Sequence, residues 1–241
     1  MDAAAQIAQL AQVAHFPELP GPELLPTRLM KAAVAVLPVA AAGLSIFTTT
    51  GHRVPLGASD DIATMAERLQ FTTGEGPCLS VHATDQPTLA TSEAMAIRWP
   101  TFYTELIGQT PYRSIVSIPL RQPGLGGDAA LDFYYTDPDR GPDLQQSRDL
   151  VEVTDMVAVL LTVSPHTTVR RVSGPAWLNS PLAQDRMRVW TAIGMINHAL
   201  HLNSADALAR LRGYAYSQNT TIDDLARALT DRVLPVGSLD A

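Results

Sequence analysis

Arg188, Arg210, Arg212 and Tyr214 cluster near the C-terminus. A guanidinium fork matches phosphate oxygens, and a phenol ring can stack on an unpaired base. Each arginine read alone is an ordinary solvated side chain. Grouped on one short segment, they favour a binding surface. Cys78 falls at the second position of a helix opened by Gly76 and Pro77, where the helix dipole can lower a thiol pKa and permit a redox role. It has no second cysteine to bridge to, so the preferred reading is a small buried apolar residue. Histidines 15, 52, 82, 166, 198 and 201 form no ligand set, because His198 and His201 share a helix face without a third ligand. No Ser-His-Asp elbow, phosphate-binding glycine loop or paired carboxylates are present. The chain therefore reads as a non-enzyme with no metal and no cofactor.

Three capped helices must carry the arginines. Ser180-Pro181 opens the first, to about His201; Ser204 caps the second, to about Gln218; Thr221 to Asp224 resembles a capping box for the third, to about Leu234. Their apolar stripes are Val189, Ile193, Ile196 and Leu200; Leu208, Leu211 and Ala215; and Ile222, Leu225, Ala226, Leu229 and Val233. Such a bundle is small enough to need support from its surroundings.

Upstream, the periodicity predicts an N-terminal helix over 1–15, helices over 27–37, 61–70 (Ile62, Met65, Ala66 and Leu69 on one face) and 143–162, and strands over 41–49, 88–91, 113–120 and 129–136. Thr50-Gly51-His52 reads as a turn and residues 124–128 as a hairpin loop. Together these predict an α+β fold, an antiparallel sheet flanked by helices, followed by the all-α three-helix module. The predicted boundaries are 1–24 for an N-terminal helical extension, 25–163 for the α+β domain, 164–180 for a linker containing Arg170-Arg171, 181–234 for the module and 235–241 for a tail. Aromatic candidates for a ligand pocket in the α+β domain are Phe47, Trp99, Phe102, Tyr112, Phe133 and Tyr135, with Cys78 beside them.

Composition supports a folded, cytoplasmic protein: 46% of residues are hydrophobic, one is cysteine, and no apolar run is long enough to span a bilayer. The net charge of −7 conceals an asymmetry. Residues 1–165 hold nine Lys and Arg against eighteen Asp and Glu, whereas 166–241 hold eight Arg against six Asp. An acidic body with a mildly basic tail suggests different partners for the two halves.

Two segments resemble known families. Gly74-Glu75-Gly76-Pro77-Cys78-Leu79, Arg98-Trp99-Pro100-x-Phe102 and Ser114-Ile115-Val116-Ser117-Ile118-Pro119-Leu120 look like the GAF domains of actinobacterial regulators. That resemblance implies a sensor domain, often dimeric, with a small-molecule pocket on one face of the sheet. Arg188 to Ile196, Ser204 to Ala215 and Ile222 to Leu229 resemble an ANTAR domain, an RNA-binding output module. The pairing implies a homodimeric transcription antitermination regulator that binds stem-loops in leader transcripts. Arg188, Ala192, Gly194, Met195, Arg210, Arg212 and Tyr214 would be the RNA-facing residues, the small ones permitting close backbone approach. One departure stands out: the family usually has lysine where this chain has Ile193, which spacing places on the apolar stripe. The rival expectation is a ligand- or protein-binding sensor whose helical tail serves dimerisation and has lost or weakened RNA binding. A tail packed on the sensor with its arginines paired would favour the rival.

Overall fold

The computed structural model describes residues 2–48, 53–121, 127–139, 141–163 and 175–240. The predicted turn at 50–52, most of the loop at 124–128 and Arg170-Arg171 lie outside the described residues.

Five strands form one antiparallel sheet: β1 (Ala41–Thr48), β2 (Arg53–Ala58), β3 (Thr88–Ala90), β4 (Ser114–Leu120) and β5 (Gly127–Tyr135), in the order β2-β1-β5-β4-β3. The α+β expectation holds, with one added strand. Pro55 in β2 argues against a strand in sequence, but β2 is an edge strand, where the missing N–H need not pair.

The period-two pleat separates two faces. Leu44, Ile46, Val54, Leu56, Val116, Ile118, Leu131, Phe133 and Tyr135 point to a core closed by α1 (Ala3–Leu10), α2 (Leu25–Val36) and α7 (Leu144–Val163). Ala41, Ile115 and Tyr134 point to the other side, against α3 (Asp61–Thr73), α5 (Ser92–Arg98) and α6 (Pro100–Gln109), while Phe47 and Ala130 meet α4 (Pro77–Thr84) there. In α3 the expected apolar face is only partly buried, and Ile62 is an exposed exception. Its position in the first turn faces away from the sheet.

The C-terminal helices are α8 (Pro181–Leu200), α9 (Ser204–Ser217) and α10 (Ile222–Thr230). The Ser180 hydroxyl accepts from the Ala183 amide at the start of α8, at 3.3 Å. Asn203, one residue before the expected Ser204, caps α9 by accepting from Asp206 N at 2.9 Å. α10 ends four residues earlier than expected: Arg232 adopts φ +59° and the Val233 amide returns to the Ala228 carbonyl. Val233 is therefore 80% exposed and leaves the predicted stripe. The core of these helices is not self-contained, because Phe71 of α3 sits within it.

Candidate functional site

The pleat divides the predicted pocket residues. Phe47, Cys78, Trp99, Phe102 and Tyr112 lie on the α3–α6 side of the sheet. Phe133 and Tyr135 are corrected: they face the opposite core under α2 and α7. The aromatic residue on the candidate side is Tyr134, whose ring stacks on Tyr112 at 4.8 Å. A single-residue register change moves a side chain to the other face, and sequence alone did not set that register.

Between the sheet and α3 lies a buried polar cluster that sequence reading missed apart from Cys78. Arg53 pairs with the Glu67 carboxylate and donates to the Glu67 carbonyl at 2.8 Å and to the Cys78 sulfur at 3.4 Å. Tyr134 OH donates to the second Glu67 oxygen at 2.6 Å. Gln70 donates to Asp132 at 2.6 Å, and Ser117 donates to the other Asp132 oxygen. Gln70 Oε1 in turn accepts from the Cys78 amide at 2.9 Å. Arg53, Glu67, Gln70, Ser117 and Asp132 are all buried. Spacing supplied one unused signal: Glu67 and Gln70 are three apart on a helix, hence on one face.

With one guanidinium between two carboxylates, the cluster carries a negative excess when both are ionised. Burial, and then the Glu67 charge, push Asp132 up to about 7, against the opposing pull of Arg53. Burial also pushes the Cys78 thiol up to about 12, with Arg53 only partly offsetting it. Desolvation thus outweighs the helix dipole at Cys78, whose full burial agrees with the preferred reading of a small buried residue. A disulfide reagent at pH 8 should leave Cys78 unmodified in the native chain and label it in denaturant. Labelling at the free-thiol rate in the native state would contradict this.

The motif residues around Cys78 serve geometry. Gly74 ends α3 at φ +76° and Gly76 precedes α4 at φ +141°, a conformation suited to glycine. Glu75 accepts from the Phe102 amide at 2.9 Å, so it caps α6, whose own N-cap, Trp99, offers no side-chain acceptor.

In the C-terminal helices the RNA candidates also divide. Arg188, Thr191, Gly194 and His198 line an exposed face of α8, with Met195 half-buried at its edge. A Cβ at Gly194 would meet nothing within 4 Å. Arg188 pairs with Asp231 at 2.7 Å. Arg210 donates to the Leu239 carbonyl at 3.0 Å and borders, with Asp206, Tyr214 and Ser217, an open cleft of about 610 Å³.

Two candidates are engaged inside the chain in this structure. Ala192 is fully buried in the helical core, where its small side chain permits close helix packing rather than approach by a ligand. Arg212 turns towards α3 and donates twice to the Phe71 carbonyl, at 3.3 and 3.2 Å. Ile193 packs inward, as its spacing predicts.

Arg186, absent from the candidate set, is the most engaged arginine of the segment. It is fully buried, holds Asp223 bidentately at 2.9 and 3.1 Å, donates to the Arg53 carbonyl at 3.2 Å and lies 3.6 Å above the Phe71 ring. Arg68 of α3 adds an ion pair to Asp185 at 2.9 Å.

Among the described residues no group of three His, Cys, Asp or Glu could hold a metal, and no helix is long and apolar enough to cross a membrane. No protein-family model matches the sequence, and no curated protein matches it. Several solved structures are similar. One is the GAF domain of a phosphoenolpyruvate-protein phosphotransferase from Coxiella burnetii, 16% identical with a TM-score of 0.46, over 65% of this chain and 92% of that one. Another is the phycocyanobilin-bound GAF domain of a cyanobacterial phytochrome, 12% identical with a TM-score of 0.45, over 71% of this chain and 99% of that one. A third is Escherichia coli SdiA, 12% identical with a TM-score of 0.42, over 82% of this chain and 86% of that one.

Proposed function

We propose that this chain is a cytoplasmic, signal-responsive regulator in which a GAF-like domain controls a C-terminal ANTAR-like module that binds RNA stem-loops and acts in antitermination. The observation that carries the reading is the exposed face of α8, where Arg188, held by a surface ion pair to Asp231, stands beside Thr191 and the open backbone at Gly194. Arg210 and Tyr214 add a second basic and aromatic pair on α9. No catalysis and no resident cofactor belong to this reading; the signal is a small molecule or a protein partner acting on the α3 side of the sheet.

A salt-controlled titration of the full chain with hairpin RNA tests it. Arg188→Ala with Arg210→Ala should weaken binding and lower the salt slope by about one for each phosphate that is no longer neutralised. Unchanged affinity and slope would count against RNA as the partner.

The rival, a sensor whose helical tail serves assembly, is favoured by Arg186, Arg212 and Arg227, all engaged within the chain.

A homodimer fits either reading. On α7, Leu144, Val151 and Val159 are 84%, 45% and 45% exposed and share a stripe with Arg148 and Asp155. Two such helices crossing antiparallel between Val151 and Glu152 set Leu144 against Val159 and Arg148 against Asp155. Sedimentation should show Arg148→Glu weakening the dimer and Arg148→Glu with Asp155→Arg restoring it. A monomeric wild type would remove this surface from the proposal.

A further inference from the structure

Helix α3 serves two sets of contacts at once. Glu67 and Gln70 hold the buried cluster of the sheet, while Arg68, Phe71 and Thr72 hold the C-terminal helices. The second set closes around the last turn of α3. Carbonyls there lack helical partners and carry the negative end of the helix dipole. Arg212 supplies the missing donors at Phe71, and Thr72 Oγ1 accepts from the Ile222 amide at 3.2 Å at the start of α10. Arg53 connects the two sets: its side chain belongs to the cluster and its carbonyl receives Arg186.

We infer that this docking is an autoinhibitory clasp, in which Arg212 is withheld from RNA by the Phe71 carbonyl and is freed when α3 shifts against the C-terminal helices. The inference rests on the RNA reading above. With Nε and Nη2 committed to the Phe71 carbonyl and its carbon packed beside Gly74, the guanidinium cannot offer that side-on edge to a phosphate, and its part-buried position keeps it from the solvent-facing side of the helices. A change in the buried cluster that moves Glu67 or Arg53 is transmitted to Arg186 and Arg212 through α3 and β2, with no further element required. The cross-contacts combine these polar bonds with one apolar anchor, the Phe71 ring buried among the C-terminal helices, so the shift that frees Arg212 is a displacement of the end of α3 and not a full separation. If about one molecule in ten is open, apparent RNA affinity is reduced about tenfold, and opening the clasp restores it.

The test uses the full chain, with the two opening substitutions placed outside the C-terminal helices. Gly74→Ala introduces a Cβ 2.9 Å from the Arg212 guanidinium carbon, at a φ of +76° that disfavours alanine. Thr72→Val removes the acceptor of the Ile222 amide with little change in shape. Hydrogen exchange at Ile222 reports docking, and a pool of hairpins with a fixed stem and randomised loop reports binding. The clasp predicts faster exchange at Ile222 and about tenfold tighter hairpin binding in both variants. It also predicts that adding Arg212→Ala to Gly74→Ala abolishes the gain.

Unchanged exchange in both variants would overturn the clasp. Faster exchange with unchanged or weaker binding would overturn its inhibitory role. Tighter binding that survives Arg212→Ala would overturn the role given to Arg212. Absence of hairpin binding by the wild type and all variants would remove the RNA reading itself, and the inference with it.

Discussion

Arg186→Ala is expected to lower the unfolding free energy by about 3–5 kcal/mol, the range for removing one partner of a buried ion pair. Asp223 would stay buried without either of its two guanidinium bonds, and Phe71 would lose the cation stacked at 3.6 Å. The Arg53 carbonyl would also lose a donor. Replacing both charges with apolar residues of similar volume, as in Arg186→Met with Asp223→Leu, should cost much less, because no buried charge is then left unpaired. Urea titrations followed by far-UV circular dichroism separate the two variants. A single variant within about 1 kcal/mol of wild type would mean that water reaches Asp223 or that α10 moves to expose it. Exposed pairs such as Arg188 with Asp231 should matter far less to stability.

Acidification from pH 8 to pH 5 is expected to stabilise the chain through Asp132. Its pKa is pushed up to about 7 from an ordinary value of 3.8, so in this interval the folded state holds a proton that the unfolded state has released. Stability from this group is fully present below about pH 4 and is lost as pH rises through about 7. A three-unit displacement corresponds to at most about 4 kcal/mol, shared with the neighbouring Glu67 and Arg53 charges. Asp132→Asn should remove this pH dependence and raise stability at pH 8, since Asn can accept from Gln70 while donating to a rotated Ser117 hydroxyl. Urea midpoints at pH 5 and pH 8 provide the check. If the variant keeps the wild-type slope, Asp132 is not the titrating group.

Local patterns made the helices legible. Ser180-Pro181 and Thr221 open α8 and α10 where the cap chemistry predicts, because a cap is satisfied by residues two or three positions away. The stripe through Val189, Ile193 and Ile196 likewise foretold which way Ile193 packs. Strand β2 escaped detection because the cost of Pro55 depends on whether its strand is central or at an edge, which is a property of the assembled sheet. Helix α5 is short and capped locally by Thr91, whereas α6 leans on remote help: Glu75, 27 residues upstream, caps it.

The candidate site was legible only in part, for the same reason. Arg188, Gly194 and Arg210 stay exposed, as their solvent-facing helix positions suggest. Nothing in the local sequence distinguishes Arg212 from them, yet a carbonyl 141 positions away claims it. Arg186 looked no more special, and it is the arginine the interior holds most firmly. Sequence alone determined the Ser180 and Thr221 caps, most of the apolar stripes and the longer helices, all of which depend on neighbours a few residues apart. The tertiary structure decided the face of each β5 aromatic, the buried company of Cys78 and which arginines are spent on holding the chain together. Those outcomes depend on sheet register and on packing between distant segments, where burial changes what a charge or a thiol can do.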